Sequence, residues 1–178
     1  MKFLTYLLFT ILGLIAFALI MALFISRQYT ISVNETINKP KSEVYDYVKM
    51  LKNQEEYSVW IKADPKLVPE ISGTDGDIGA TQTWDSKIDD VGAGSQTIIA
   101  MTDSRIDVDL KFVRPMKGEA KAANILEAIS ENQTKITSEF YGDDSYPMNL
   151  VSYIFGRGMI KESEIKNLQN IKQILESK

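Results

Sequence analysis

Arg105-Ile106-Asp107-Val108-Asp109-Leu110-Lys111-Phe112-Val113 decides how this chain reads. Ile106, Val108, Leu110 and Phe112 alternate with Asp107, Asp109 and Lys111, the two-residue period of a strand with one face in an apolar core and the other in water. Segments of the same kind lie on both sides: residues 67–71, 81–86 and 95–101 before it, 119–129 and 134–141 after it. Gly73-Thr74-Asp75-Gly76-Asp77, Asp89-Asp90-Val91-Gly92, Thr102-Asp103-Ser104, Pro115-Met116-Lys117-Gly118 and Glu131-Asn132 separate them. Connections this short predict an antiparallel meander.

Further out the period changes. Tyr29, Ile31, Val33 and Ile37 predict one more strand, and Pro40 followed by Val44, Tyr47, Val48 and Leu51 predicts an amphipathic helix. A second short helix is expected over residues 53–60, closed off by Pro65 and Pro69. At the other end Ile165, Leu168, Ile171, Ile174 and Leu175 mark the buried stripe of a long helix, with Lys166, Asn167, Asn170 and Glu176 outside. Gly156-Arg157-Gly158 predicts a bend or a close backbone approach in its early part. The fold class is therefore α+β, a curved antiparallel sheet wrapped around a long C-terminal helix with a cavity between them.

Residues 3 to 25 form an uncharged run, FLTYLLFTILGLIAFALIMALFI. As a helix it reaches about 34 Å, enough to cross a hydrocarbon core of about 30 Å. A cleaved signal peptide has a shorter apolar region, of about 7–15 residues, and Ala16-Phe17-Ala18 lies inside the run instead of after it. The expectation is a single-pass membrane protein with an N-terminal transmembrane anchor over residues 1–27 and one soluble domain over 28–178. Lys2 stands on one side, Arg27, Lys39 and Lys41 on the other, so charge leaves the side of the membrane open. Only Ser26, Arg27 and Gln28 separate the run from the first strand, which seats the domain close to the bilayer.

Composition narrows the chemistry. The 178 residues are 44% hydrophobic and 25% charged, with 20 Lys and Arg against 24 Asp and Glu; without Lys2 and Arg27 the soluble part holds 18 against 24, a formal −6. An acidic domain argues against a nucleic-acid partner. There is no His and no Cys, so a Cys/His zinc site, a Cys nucleophile and a Ser-His-Asp relay have no material. No metal, cofactor or catalytic residue is expected. Asp75-x-Asp77 begins like a calcium loop but has Ala80 and Ser86 where Gly and a bidentate Glu belong. Gly92-Ala93-Gly94-Ser95 lacks a dinucleotide fingerprint's third Gly. Asp89-Asp90, Asp143-Asp144 and Glu55-Glu56 read as solvated pairs. Asn34-Glu35-Thr36 and Asn132-Gln133-Thr134 match glycosylation acceptors that matter only in a eukaryotic secretory lumen.

Taken in order, several pieces resemble one superfamily. They are Ile37-Asn38-Lys39-Pro40-Lys41-Ser42-Glu43-Val44-Tyr45-Asp46-Tyr47-Val48, Tyr57-Ser58-Val59-Trp60, Gly79-Ala80 before Trp84, Gly94-Ser95, Gly118-Glu119-Ala120, Thr134-Lys135-Ile136-Thr137 and Tyr146-Pro147-Met148-Asn149-Leu150. From Tyr29 to Leu175 the chain resembles the SRPBCC superfamily of START-like, Bet v 1-like proteins, and within it the polyketide cyclase/dehydrase-type members with an N-terminal anchor. The resemblance implies a helix-grip fold whose pocket takes a small hydrophobic or amphipathic ligand.

With strand parity, the resemblance proposes as pocket and rim residues Trp60, Gln82, Trp84, Val108, Leu110, Phe112, Asn124, Leu126, Ser138, Phe140, Tyr146, Met148 and Ile154. Gln82, Asn124 and Ser138 stand where similar proteins often carry bulkier groups, which implies a wider, partly polar pocket. The same three serve equally well as interior polar groups bonded to neighbouring backbone. Trp60, Trp84 and Tyr146 suit core and rim packing better than a ligand platform. The expected function is a membrane-anchored binding protein for a lipid-like molecule; the alternatives are a polyketide cyclase/dehydratase-like enzyme and a membrane-tethered interaction module.

Overall fold

The computed structural model describes residues 2–177, and its elements follow the expected order. The apolar run forms α1 (Lys2–Leu23), a 22-residue helix of which Ala22 is the buried residue. After a turn comes β1 (Gln28–Ile37), then α2 (Lys41–Val48), a 3-10 turn (Leu51–Asn53), α3 (Gln54–Tyr57) and α4 (Val59–Lys62). Six strands follow: β2 (Glu70–Ser72), β3 (Thr81–Asp85), β4 (Ala93–Thr102), β5 (Arg105–Arg114), β6 (Gly118–Ser130) and β7 (Gln133–Asp143). They form one antiparallel sheet in the order β1-β7-β6-β5-β4-β3-β2. α5 (Met148–Val151) passes through a π-helical turn (Ser152–Gly156) into α6 (Arg157–Glu176).

Three local expectations are corrected. The strand foreseen at 67–71 is only Glu70–Ser72, because Pro65 and Pro69 withhold backbone donors just before it. The helix foreseen over 53–60 breaks at Ser58, whose backbone is extended (φ −69°, ψ 121°) and whose hydroxyl accepts the Ile61 amide to start a new turn. Gly156 and Gly158 make no close backbone approach; the irregularity expected there is the π turn Ser152–Gly156, just before Arg157.

The sheet has two ends. Because α1 delivers the chain into β1 at Gln28, and Gln28 faces Asp143 across the ladder, the near end also holds Gly118, Arg114, Ala93 and Asp85. At the far end Ile37 faces Thr134, and the turns at Asp103-Ser104 and Glu131-Asn132 are polar. The inner face follows from the register: Val33–Ser138–Asn124–Ile106 is one row, Ile31–Phe140–Ala122–Val108 the next, and Tyr29–Gly142–Ala120–Leu110–Gln96–Gln82 a third toward the near end.

α6 runs from the near end to the far end and packs chiefly on β1. Its far half is sealed. Leu168, Ile171 and Leu175 are buried in one cluster with Val33, Ile37, Ile136, Leu126, Val44, Val48, Leu51 and Tyr57. The buried stripe differs from the predicted one, since Asn167 lies inside and Ile165 is exposed. α6 is covered on two sides, by the sheet and by the α3–α4 corner, and its amides serve that corner: Asn167 Oδ1 accepts the Val59 amide (2.9 Å) and Asn170 Nδ2 donates to the Tyr57 carbonyl (2.8 Å). The rejected calcium loop has a structural task too. The Asp75 carboxylate accepts the amides of Leu51 (2.7 Å) and Lys52 (3.1 Å).

Candidate functional site

Between α6 and the sheet the interior is solid at one end and open at the other. Ile136 and Leu126 in the far half are fully buried, whereas Val108, Leu110, Phe112, Trp84 and Phe140, on the same inner face, are only half-buried. Two glycines shape the open half. A Cβ on Gly94 would overlap the Trp84 ring and one on Gly142 would overlap the Tyr29 ring, so both aromatics lie flat across the sheet. Trp84 meets Phe112 edge to face with centroids 6.3 Å apart, and Tyr29 meets Phe140 at 6.3 Å. The result is an aromatic-walled trough at the near end, closed by packing at the far end.

The three polar candidates behave differently from one another. Gln82 is fully buried; its Nε2 donates to the Leu51 carbonyl (2.9 Å) and its Oε1 accepts from Gln96 Nε2 (2.6 Å), tying the 3-10 turn to β3 and β4. That is the interior-amide role. Asn124 is half-buried and paired in register with Ser138. Ser138 Oγ donates to Glu164 Oε2 (2.7 Å) from the sheet to α6. Burial raises the Glu164 carboxyl above the ordinary carboxylate range, and the bonds from Ser138 and Asn167 only partly oppose it. Tyr57, buried close by, is raised as well, first by burial and then by the Glu164 charge. Sequence reading missed Glu164, although it stands four, seven and eleven residues before Leu168, Ile171 and Leu175. Glu139 stays on the outer face, where it accepts from Tyr141 and pairs with Arg105.

The other candidates divide by place. Leu126 belongs to the sealed core and Trp60 is half-buried on α4, while Tyr146, Met148 and Ile154 are exposed at the near end. An open depression of about 630 Å³ crosses β1, β7, β6 and β5 at this near end. Leu110 alone of the candidates lines it, with Tyr29, Ala120 and Gly142 of the same inner row, and Asp109, Lys111, Glu119, Lys121 and Asp143 put charge around them. Among the described residues no three carboxylates gather as a metal would require.

The junction between α1 and the domain is built, not slack. Asn149 is buried, and its Nδ2 donates to the carbonyls of Ala22, at the α1 C-terminus, and Ile25, just past it, both at 2.8 Å. Tyr146 Oη donates to the Leu19 carbonyl (3.2 Å). Arg157 stacks on Tyr29 with its guanidinium 4.0 Å from the ring centroid, donates to the Ser26 carbonyl (2.7 Å) and pairs with Asp144 (3.5 Å). Nothing in the sequence singles out Asn149, since one amide after a turn carries no pattern.

Comparison with known proteins bears on the fold. No family model matches the chain, and no curated protein matches it by sequence. Solved structures do. The Mesorhizobium loti protein MLL2253 superposes with a TM-score of 0.61 at 14% identity, over 84% of this chain and 98% of that one. Ara h 8.0201 gives 0.59 at 15% identity, over 85% and 99%. The di-domain ARO/CYC BexL from the BE-7585A biosynthetic pathway gives 0.60 at 13% identity, over 83% of this chain and 50% of BexL, so the chain spans about half of that protein. With α6 gripped by a seven-stranded sheet, the chain has the helix-grip fold of the Bet v 1-like and polyketide-cyclase-type SRPBCC proteins, carried behind an apolar N-terminal helix.

Proposed function

We propose that the chain is a membrane-tethered binding module that holds an apolar or amphipathic small molecule in the open half of its grip. One observation carries the reading: Trp84, Phe112, Leu110, Val108 and Phe140 form a continuous apolar inner wall left half-exposed, while the same wall farther along is packed solid. A core residue normally buries its whole side chain against partners, and a concave apolar wall with a few polar groups is the usual form of a small-molecule site. Asn124, half-buried at the closed end of the trough, supplies one such group, next to the buried Ser138–Glu164 pair. α1, uncharged from Phe3 to Leu23, supplies the tether.

The test is native mass spectrometry of the full chain extracted from membranes in mild detergent. An additional mass of lipid size, lost or reduced in Asn124→Leu and Phe112→Asp, supports the reading. A bare protein that also leaves Trp84 fluorescence unchanged by a fluorescent lipid analogue ends it.

A second reading is favoured by Glu164. A carboxyl that burial raises above the ordinary range, beside Ser138 and Tyr57, is the kind of acid that a cyclase- or dehydratase-like proton transfer needs, and BexL, of like fold, is described as a di-domain ARO/CYC. Turnover of a polyketide-like substrate that disappears in Glu164→Gln, with binding retained, would select this reading over the first.

A further inference from the structure

The helical stretch after Pro147 has its apolar residues on the wrong side for a soluble domain. Val151, Ile154, Phe155 and Met159 recur at spacings of three, one and four, which places them on one helical face. That face points away from the protein: Phe155 is 67% exposed, Ile154 57% and Met159 54%. The opposite face holds the residues that touch the domain, among them Ser152, Arg157, Ile160 and Ser163. The extra residue of the π turn Ser152–Gly156 falls in the middle of this apolar run. Tyr153 is likewise exposed, with its ring 5.5 Å from the Arg157 guanidinium. Met116, 64% exposed in the β5–β6 turn, lies at the same end of the sheet.

The occupant of this face follows from where it is pinned. Asn149 and Tyr146, directly before the stretch, hydrogen-bond to the carbonyls of Leu19 and Ala22 in the last turns of α1 and of Ile25 just beyond it. The apolar face therefore starts at the level where the apolar helix α1 ends, with no linker that would let it move away. Lys117 and Lys161, near it in the chain, are cations that suit lipid phosphates, Arg27 being paired with Asp143 at 3.7 Å, and Tyr146 and Tyr153 are amphipathic rings of the kind enriched at membrane–water boundaries.

We infer that residues 151–159, together with the Met116 turn, form a second membrane contact, lying in the headgroup–acyl boundary of a bilayer and turning the open end of the grip toward the lipid. This rests on the reading that α1 spans a membrane. It assigns Tyr146, Met148 and Ile154 to the lipid-facing rim and gives a bilayer-derived ligand a path into the trough that does not cross water.

The chain has no cysteine, so a single introduced thiol reports one place. The full chain is reconstituted into phosphatidylcholine vesicles containing a minor share of phosphatidylglycerol, with a nitroxide on Phe155→Cys, Met159→Cys or Met116→Cys. Leu12→Cys inside α1 and Ile129→Cys near the far end are the references. Collision with oxygen is compared with collision with a water-soluble nickel chelate. The expected result is an oxygen-to-nickel ratio at 155, 159 and 116 several-fold above that at 129 and approaching that at 12. Labels at 155 and 159 that match 129, while 12 reads as lipid, overturn the inference and leave the anchor standing. A label at 12 that reads as water removes the anchor and the inference with it. Spin–spin broadening at 155 shows that a second copy covers the face and also overturns the inference.

Discussion

The two halves of the grip are made from the same helix and the same sheet, yet one is a core and the other a trough. At the far end α6 brings Leu168, Ile171 and Leu175 against Ile37, Ile136 and Val44, and every one of these side chains is buried. At the near end α6 offers Ser163, Glu164, Ile160 and Arg157, while the sheet offers Gly94, Gly142, Ala120 and Ala122 between its aromatics. Small residues opposite polar ones leave space that large aliphatic pairs would have filled. On the proposed function, stability and binding are thus divided along the length of a single helix.

The division sets the order of expected effects. Ile136→Ala and Leu168→Ala, in the sealed half, should each cost about 2–5 kcal/mol because a cavity opens in a close-packed cluster; denaturant unfolding of the detergent-solubilised chain measures it. Phe112→Ala, in the open half, should cost well under half of that, since its ring is already half-solvated, while removing most ligand binding. Equal losses of stability from both halves would erase the distinction.

Next in size is the junction. Asn149→Ala removes two hydrogen bonds, to the end of α1 and just past it, and leaves two carbonyls without this donor, a cost of about 1–3 kcal/mol. The sharper readout is geometric: distances between spin labels at Leu12→Cys and Ile129→Cys should change from one narrow distribution to a broad one.

Glu164 adds a pH dependence between the two halves. Its carboxyl titrates above the ordinary carboxylate range in the folded chain because of burial, so the folded state holds the proton that the unfolded state releases. Its contribution is therefore full below the ordinary Glu range and declines as pH rises from there through the raised value. Glu164→Gln should flatten that decline in a series of denaturation midpoints. An unchanged slope would mean that the buried carboxyl carries no such linkage.

Smallest of all should be the surface. Lys135→Ala breaks the exposed pair with Glu127 at 3.4 Å and should change stability by about 0–1 kcal/mol, and less in high salt.

The sheet was legible because its chemistry repeats every two residues: the parity read from Ile106 to Phe112 places the inner row where the structure has it. The stripe of Leu168, Ile171 and Leu175 was legible for the same reason in helical form, but not the seal it makes with Leu126, which was expected to line a pocket. What the periodicity hid were polar residues used inside. Asn167 looks like a surface amide until the α3–α4 corner covers it, and Glu164, flanked by Lys161, Glu162 and Lys166, looks like one more charge on a wet face. The exposed run at 151–159 escaped for the opposite reason, since apolar letters near a predicted pocket invite placement inside it. A sequence records how apolar a helix face is, but not which solvent meets it.

The capped end of α1 has a mechanical consequence. With Ala22 and Ile25 held by Asn149 and Ser26 held by Arg157, the stalk and the head turn as one piece, so whatever tilt the stalk adopts is passed undiminished to the head. With α1 in a bilayer, as proposed, such a body would diffuse in a plane and spin about a single axis, and an encounter with another membrane resident would become a two-dimensional search with its facing already set.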